Sequence, residues 1–146
     1  RLVDKDMFQH GIHASGRFDV QLTPLPLHDT AAGAQLARLA IDKLFHGDLT
    51  ATGKGEMLSA GTLVPDSAGY VAIEQVTGTL HGRSGSFVFQ HNGTMKRGAA
   101  QLSLTVVPDS GTGELVGLAG TMAIEILDGV HFYAFDYSLS ERAVPA

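Results

Sequence analysis

The sequence predicts an all-β domain of eight short strands, arranged as an antiparallel meander and closed into a barrel. Three observations lead there. Apolar residues recur with a period of two through most segments between Ala14 and Tyr137, and Gly, Pro and Asp turns divide those segments. No connection is long enough for the crossover that parallel strands require. Glycine supplies 18 of the 146 residues, above the ordinary ~7%, as a chain of many turns would need.

In order along the chain, the first strand opens at Ala14, with Gly16, Phe18, Val20 and Leu22 on one face and Ser15, Arg17, Asp19 and Gln21 on the other. Pro24 and Pro26 stop it, because neither can donate to a ladder, and a long loop runs to Gln35. Within that loop His28, Asp29 and Thr30 are suited to cap a short helix. Two periods compete next: Leu36, Leu39 and Ala40 fit a helical face, while Ala37, Leu39, Ile41 and Phe45 fit a strand. The strand is preferred, since Phe45 and the Gly47-Asp48 turn extend the period of two.

Leu49, Ala51, Gly53, Gly55 and Met57 then share the inner face of a third strand. So small a face either leaves room inside or marks a bulge or barrel corner. A Pro65-Asp66-Ser67 turn leads to a hairpin of residues 70–78 and 85–92, and residues 100–107 form the sixth strand before the Pro108-Asp109-Ser110-Gly111 turn. Residues 117–126 and 130–137 close the set across Asp128-Gly129, a pattern that selects a type I′ hairpin. Closure removes exposed edges, and eight strands enclose a space that side chains or one small ligand can fill.

Composition narrows the functional classes. A net charge of -5 without a basic stripe argues against nucleic acid as a partner. The absence of cysteine excludes disulfides, thiol catalysis and thiolate metal sites. No apolar run reaches a membrane span, and no basic segment followed by an apolar one opens the chain, so neither membrane nor signal peptide is expected and the cytoplasm is the default setting. The histidines show no HExxH spacing, and no metal or other cofactor is expected. Gly82-Arg83-Ser84-Gly85 is not a nucleophile elbow, GTGELVG from Gly111 lacks the helix of a dinucleotide loop, and Asn92-Gly93-Thr94 matches a glycosylation acceptor by pattern alone. Residues 1–12 are expected to be an unstructured N-terminal extension or cloning remnant, 13–140 the barrel and 141–146 a C-terminal tail.

Turn arithmetic proposes a site. If Gly82-Arg83 is a two-residue type II′ turn, His81 faces Ser84 and Glu74 lies opposite His91, on the same face as Tyr70, Ala72, Val76, Phe87 and Phe89. The Asp128-Gly129 turn pairs Ile126 with His131, Ile124 with Tyr133, Met122 with Phe135 and Gly120 with Tyr137. An interior holding Glu74, His91, His131 and tyrosines is more polar than a packed core requires. Glu74 and His91 are therefore the candidate acid-base pair, and Tyr70, Phe89, Met122, His131, Tyr133 and Tyr137 the candidate ligand-lining residues.

Three stretches carry a family resemblance: FHGDLTATGKGEMLSAGT from Phe45, YVAIEQVTGTLHGRSGSFVFQHNGTM from Tyr70, and LTVVPDSGTGELVGLAGTM from Leu104. Through them the chain resembles the bacterial family called domain of unknown function 3224, from His13 to Leu139. The resemblance implies an eight-stranded barrel like that of allene oxide cyclase and the dirigent proteins, and it brings no established activity. The resulting expectation is a barrel that binds a small apolar molecule inside. Its alternatives are a cofactor-independent isomerase, cyclase or lyase working through Glu74 and His91, and a structural or interaction protein with a filled barrel. Outward Phe132, Val71 and Ile73 offer a surface for a homo-oligomer.

Overall fold

Alternation at this density leaves each strand one apolar face to bury, and the chain buries all eight by rolling them into one cylinder. In the computed structural model, which describes residues 8–28 and 35–140, the strands are β1 (Phe8–Leu25), β2 (Leu36–Gly47), β3 (Leu49–Gly61), β4 (Ala68–Leu80), β5 (Arg83–Lys96), β6 (Ala99–Val106), β7 (Leu118–Leu127) and β8 (Val130–Ser140). They pair antiparallel in chain order, and β8 returns to β1 to close the barrel. Inward positions follow the predicted alternation, with Phe18, Phe45, Leu49, Ala51, Val76, Phe87, Phe89, Leu104, Met122, Tyr133 and Phe135 all buried. No described helix is long and apolar enough to cross a membrane.

The first strand departs from expectation at both ends. It begins at Phe8 rather than Ala14, and Ile12 and His13 pair with Tyr137 and Asp136 of β8, so the barrel takes in residues expected to lie in an extension. It also continues through Pro24, which sits opposite Leu39. Pairing with β8 has ended by Phe18 opposite His131, so the last turn of β1 has a neighbour on one side only, where a missing N–H costs no ladder bond. The helix cap expected at residues 28–30 lies largely outside the described residues.

The Asp128-Gly129 turn has the expected form: both residues have positive φ, 52° and 77°, and every pairing derived from it is present. The β4–β5 turn is corrected. Its central residues are His81 (φ 47°) and Gly82 (φ 79°), not Gly82 and Arg83, so Leu80 rather than His81 ends the ladder, opposite Arg83. Glu74 consequently lies opposite Phe89, and His91 opposite Ala72. A type I′ turn needs φ > 0 at both centres, and histidine tolerates that region better than most side chains. The register moves by two residues, which preserves every inward and outward face.

The barrel is weakest between β6 and β7. One pair, Thr105 with Thr121, joins them in register, whereas β5 and β6 pair from Phe89 opposite Val106 to Lys96 opposite Ala99. After β6 the chain stays beside β5: Val107 and Thr112 donate to the carbonyls of Val88 and Ser86 at 2.8 Å, and a 3-10 turn at Gly113–Leu115 buries Leu115 at that end of the barrel. A groove of about 520 Å³ therefore follows the seam between Leu102, Leu104, Met122 and Ile124. Hydrogen exchange should lose protection first along β6 and β7, while β4 and β5, paired over their full lengths, exchange last.

Candidate functional site

The interior is divided along the barrel axis. Toward the Leu115 end it is filled by rings: Phe87 and Phe89 meet edge to face at 5.0 Å, Phe89 and Phe135 at 5.5 Å, and Phe135 and Tyr137 lie 5.3 Å apart. Toward the end that carries the β1–β2 connection the filling stops. A cup of about 270 Å³ remains, walled by Phe18, Ile41, Met57, Tyr70, Ile124 and His131. Leu22, Leu102 and Ile126 stand at its rim, partly exposed to solvent. Lys43 and His91, both buried, form the polar part of its floor.

Beneath that floor lies Glu74, with no exposed surface. Its Oε1 accepts from His91 Nε2 at 2.8 Å and from Lys43 Nζ at 3.1 Å. A carboxylate only accepts, so this contact puts a proton on His91 Nε2. Glu74 and His91 meet diagonally across β4 and β5, two residues along the ladder from the directly opposed arrangement expected.

Lys43 reaches Glu74 from farther away. It sits on β2 opposite Gly53 of β3, while Glu74 sits on β4 opposite Gly55. Two strand spacings, about 10 Å, separate their backbones, and any side chain on the intervening strand would fill that gap. A Cβ at Gly53 would overlap Glu74 Oε2 and lie 3.0 Å from Cδ. The small inner face of β3 is thus the space in which a lysine and a glutamate two strands apart make contact. The Lys43 ammonium also lies 4.7 Å from the centre of the Phe18 ring and 5.7 Å from that of Phe45, both within cation–π range.

Burial by itself pushes the Glu74 carboxyl up, but the His91 hydrogen bond and the Lys43 charge more than offset it, and the group sits below the ordinary carboxylate value. Tyr70 is shifted upward, first by burial and then by the Glu74 charge. Glu74 Oε2 has no hydrogen-bond partner among the described residues. It fills the niche at Gly53 rather than facing the cup.

Of the residues proposed from sequence, Glu74, His91, Tyr70 and His131 gather at or under the cup. The His91 ring lies 6.2 Å from Tyr70, and the His131 ring 5.0 Å from Phe18. Phe89 is part of the packed half. Met122 is buried in the core and borders the β6–β7 groove. The Tyr133 hydroxyl accepts from Leu49 N–H and donates to the His46 carbonyl, both at 2.9 Å, which commits it to the β2–β3 turn. Tyr137 is hydrogen-bonded to His81 Nδ1 at the β4–β5 turn, away from the cup. Lys43 was missed. Its position was nevertheless legible, because Leu39, Ile41, Lys43 and Phe45 fall on one alternating face and a lysine interrupts an otherwise apolar series. Among the described residues no group of three or more His, Asp or Glu side chains is placed to hold a metal ion.

Two outcomes follow from this geometry. Gly53→Ala should destabilise the fold by about 1–3 kcal/mol through overpacking, and much less in a Glu74→Ala background. A double-mutant cycle in urea measures that coupling. The depressed Glu74 carboxyl stabilises the folded state in full above its ordinary value of 4.5 and progressively less as pH falls through the lower folded value. Glu74→Gln, which leaves Lys43 buried without its counter-charge, should cost about 3–5 kcal/mol at neutral pH. That difference from wild type should shrink on acidification below 4.5.

Comparison with known proteins agrees with this barrel. No curated protein matches the chain. A crystal structure of a protein of unknown function from Shewanella oneidensis MR-1, of the DUF3224 family, is 54% identical, with a TM-score of 0.85 over 89% of this chain and 98% of that one. The family model described as protein of unknown function (DUF3224) matches residues 14–137, which include every residue of the cup and its floor. The chain belongs to the DUF3224 family.

Proposed function

We propose that this barrel binds a small, largely apolar molecule in the cup, with Lys43, His91, Tyr70 and His131 supplying its polar contacts. One observation carries the reading: an apolar-walled space of about 270 Å³ stands directly over a buried ionic group, at the end of a barrel whose other end is packed with rings. Ligand sites commonly have this composition, with apolar walls and a few convergent polar groups. A polar group serving register alone would be as well served inside a filled core.

A catalytic reading rests on the His91–Glu74 hydrogen bond near the Tyr70 ring, an arrangement suited to moving a proton on a bound substrate. The depressed Glu74 carboxyl and its double engagement favour binding, since they hold the carboxylate ionised and occupied. We also propose self-association through the outer face of β3 and β4, where Leu58, Val71 and Ile73 are each about half exposed, at 50%, 52% and 53%.

Native mass spectrometry of protein purified from its own source tests binding and assembly together. A small molecule released on denaturation, and absent from an Ile124→Trp variant with a filled cup, is the expected result. Wild-type protein that emerges with no bound mass contradicts it.

A further inference from the structure

The floor of the cup is one-sided in what it presents. Lys43 and His91 line the space, whereas Glu74 lies behind them and, among the described residues, no carboxylate is part of the wall. The Lys43 side chain is 6% exposed. Its ammonium carries three donors, and its hydrogen bond to a side-chain acceptor is to Glu74 Oε1. The rings of Phe18 and Phe45 cover part of the remainder but accept no conventional hydrogen bond. Donor capacity thus faces a space whose other walls, apart from His91, Tyr70 and His131, are apolar. A cationic ligand would meet the ammonium directly, and a neutral one would leave that capacity poorly used. An anionic oxygen makes the shorter and stronger charge-assisted bond.

We infer that the ligand is an apolar carboxylate, seated with its hydrocarbon body against Phe18, Ile41, Met57 and Ile124 and its carboxylate accepting from Lys43 Nζ. This rests on the cup being a binding site. Glu74 is then a positioning residue: with Gly53 leaving it room, it draws Lys43 across β3 and holds the ammonium at the floor. At ~30 Å³ for each non-hydrogen atom, the cup holds roughly nine of them.

Calorimetric titration with octanoate, 1-octanol and octylammonium at pH 7, three chains of one length and different heads, separates the possibilities. The expected order is octanoate at least tenfold tighter than 1-octanol, with octylammonium weakest. Lys43→Met should abolish the advantage of octanoate over 1-octanol, and Ile124→Trp should abolish binding of both. Should Lys43→Met fail to fold, the wild-type order decides alone. Equal affinity for octanoate and 1-octanol, or a preference for octylammonium, overturns the carboxylate assignment and leaves the cup a binding site. Octanoate binding retained by Ile124→Trp places the anion elsewhere and also overturns it. No binding by any of the three to folded wild type overturns both readings.

Discussion

A carboxylate with no contact with water must find its counter-charge inside the barrel, and Glu74 finds it two strands away. That contact depends on β3 presenting Gly53 and Gly55 where other strands present side chains, because only an empty inner face lets Lys43 pass over one strand to reach the next but one. Removing either partner would leave a buried charge without compensation, and such losses cost several kcal/mol in comparable settings. The glycines, the lysine and the glutamate therefore act as one unit. His91 joins it from β5 through the same carboxylate oxygen, so a single atom ties β2, β4 and β5 together.

The position of this group explains the division of the interior. On one side Phe87, Phe89 and Phe135 pack ring against ring, and low polarity there strengthens the electrostatic contacts beside it. On the other side the strands extend past the group and enclose a space whose walls are apolar but whose rim meets solvent. A molecule entering from that end reaches the ammonium and imidazole before it reaches the carboxylate. Direction of approach thus sets which chemistry the site offers.

Much of this was legible in the chain. Strand number, antiparallel order and the inward face of each strand follow from period-two alternation, and the β7–β8 register follows from Asp128-Gly129 alone. The Glu74–His91 contact does not depend on the turn the pattern suggests. The sequence pattern points to Gly82 as the first central residue, whereas His81 occupies that place with positive φ, and the contact is kept because a slip of two preserves faces. Two features were beyond local pattern. Pro24 is compatible with a strand only because β8 has already ended beside it, which is a property of the closed barrel. The Lys43–Glu74 pair spans three strands, and pairing arithmetic on one hairpin carries no information about a partner beyond the next strand. Tyr133 and Tyr137 point inward as expected, but whether a hydroxyl meets a ligand or a turn depends on its height in the barrel.

The most direct measurement of the account is the ζ-nitrogen resonance of Lys43, observed by proton–nitrogen correlation at neutral pH. A buried ammonium fixed to Glu74 under a ring should give slowly exchanging protons, a shift displaced from that of exposed Lys54, and a further displacement when a carboxylate fills the cup. A Lys43 signal that exchanges as fast as that of Lys54 and is unmoved by Glu74→Gln would contradict the contact on which the site depends.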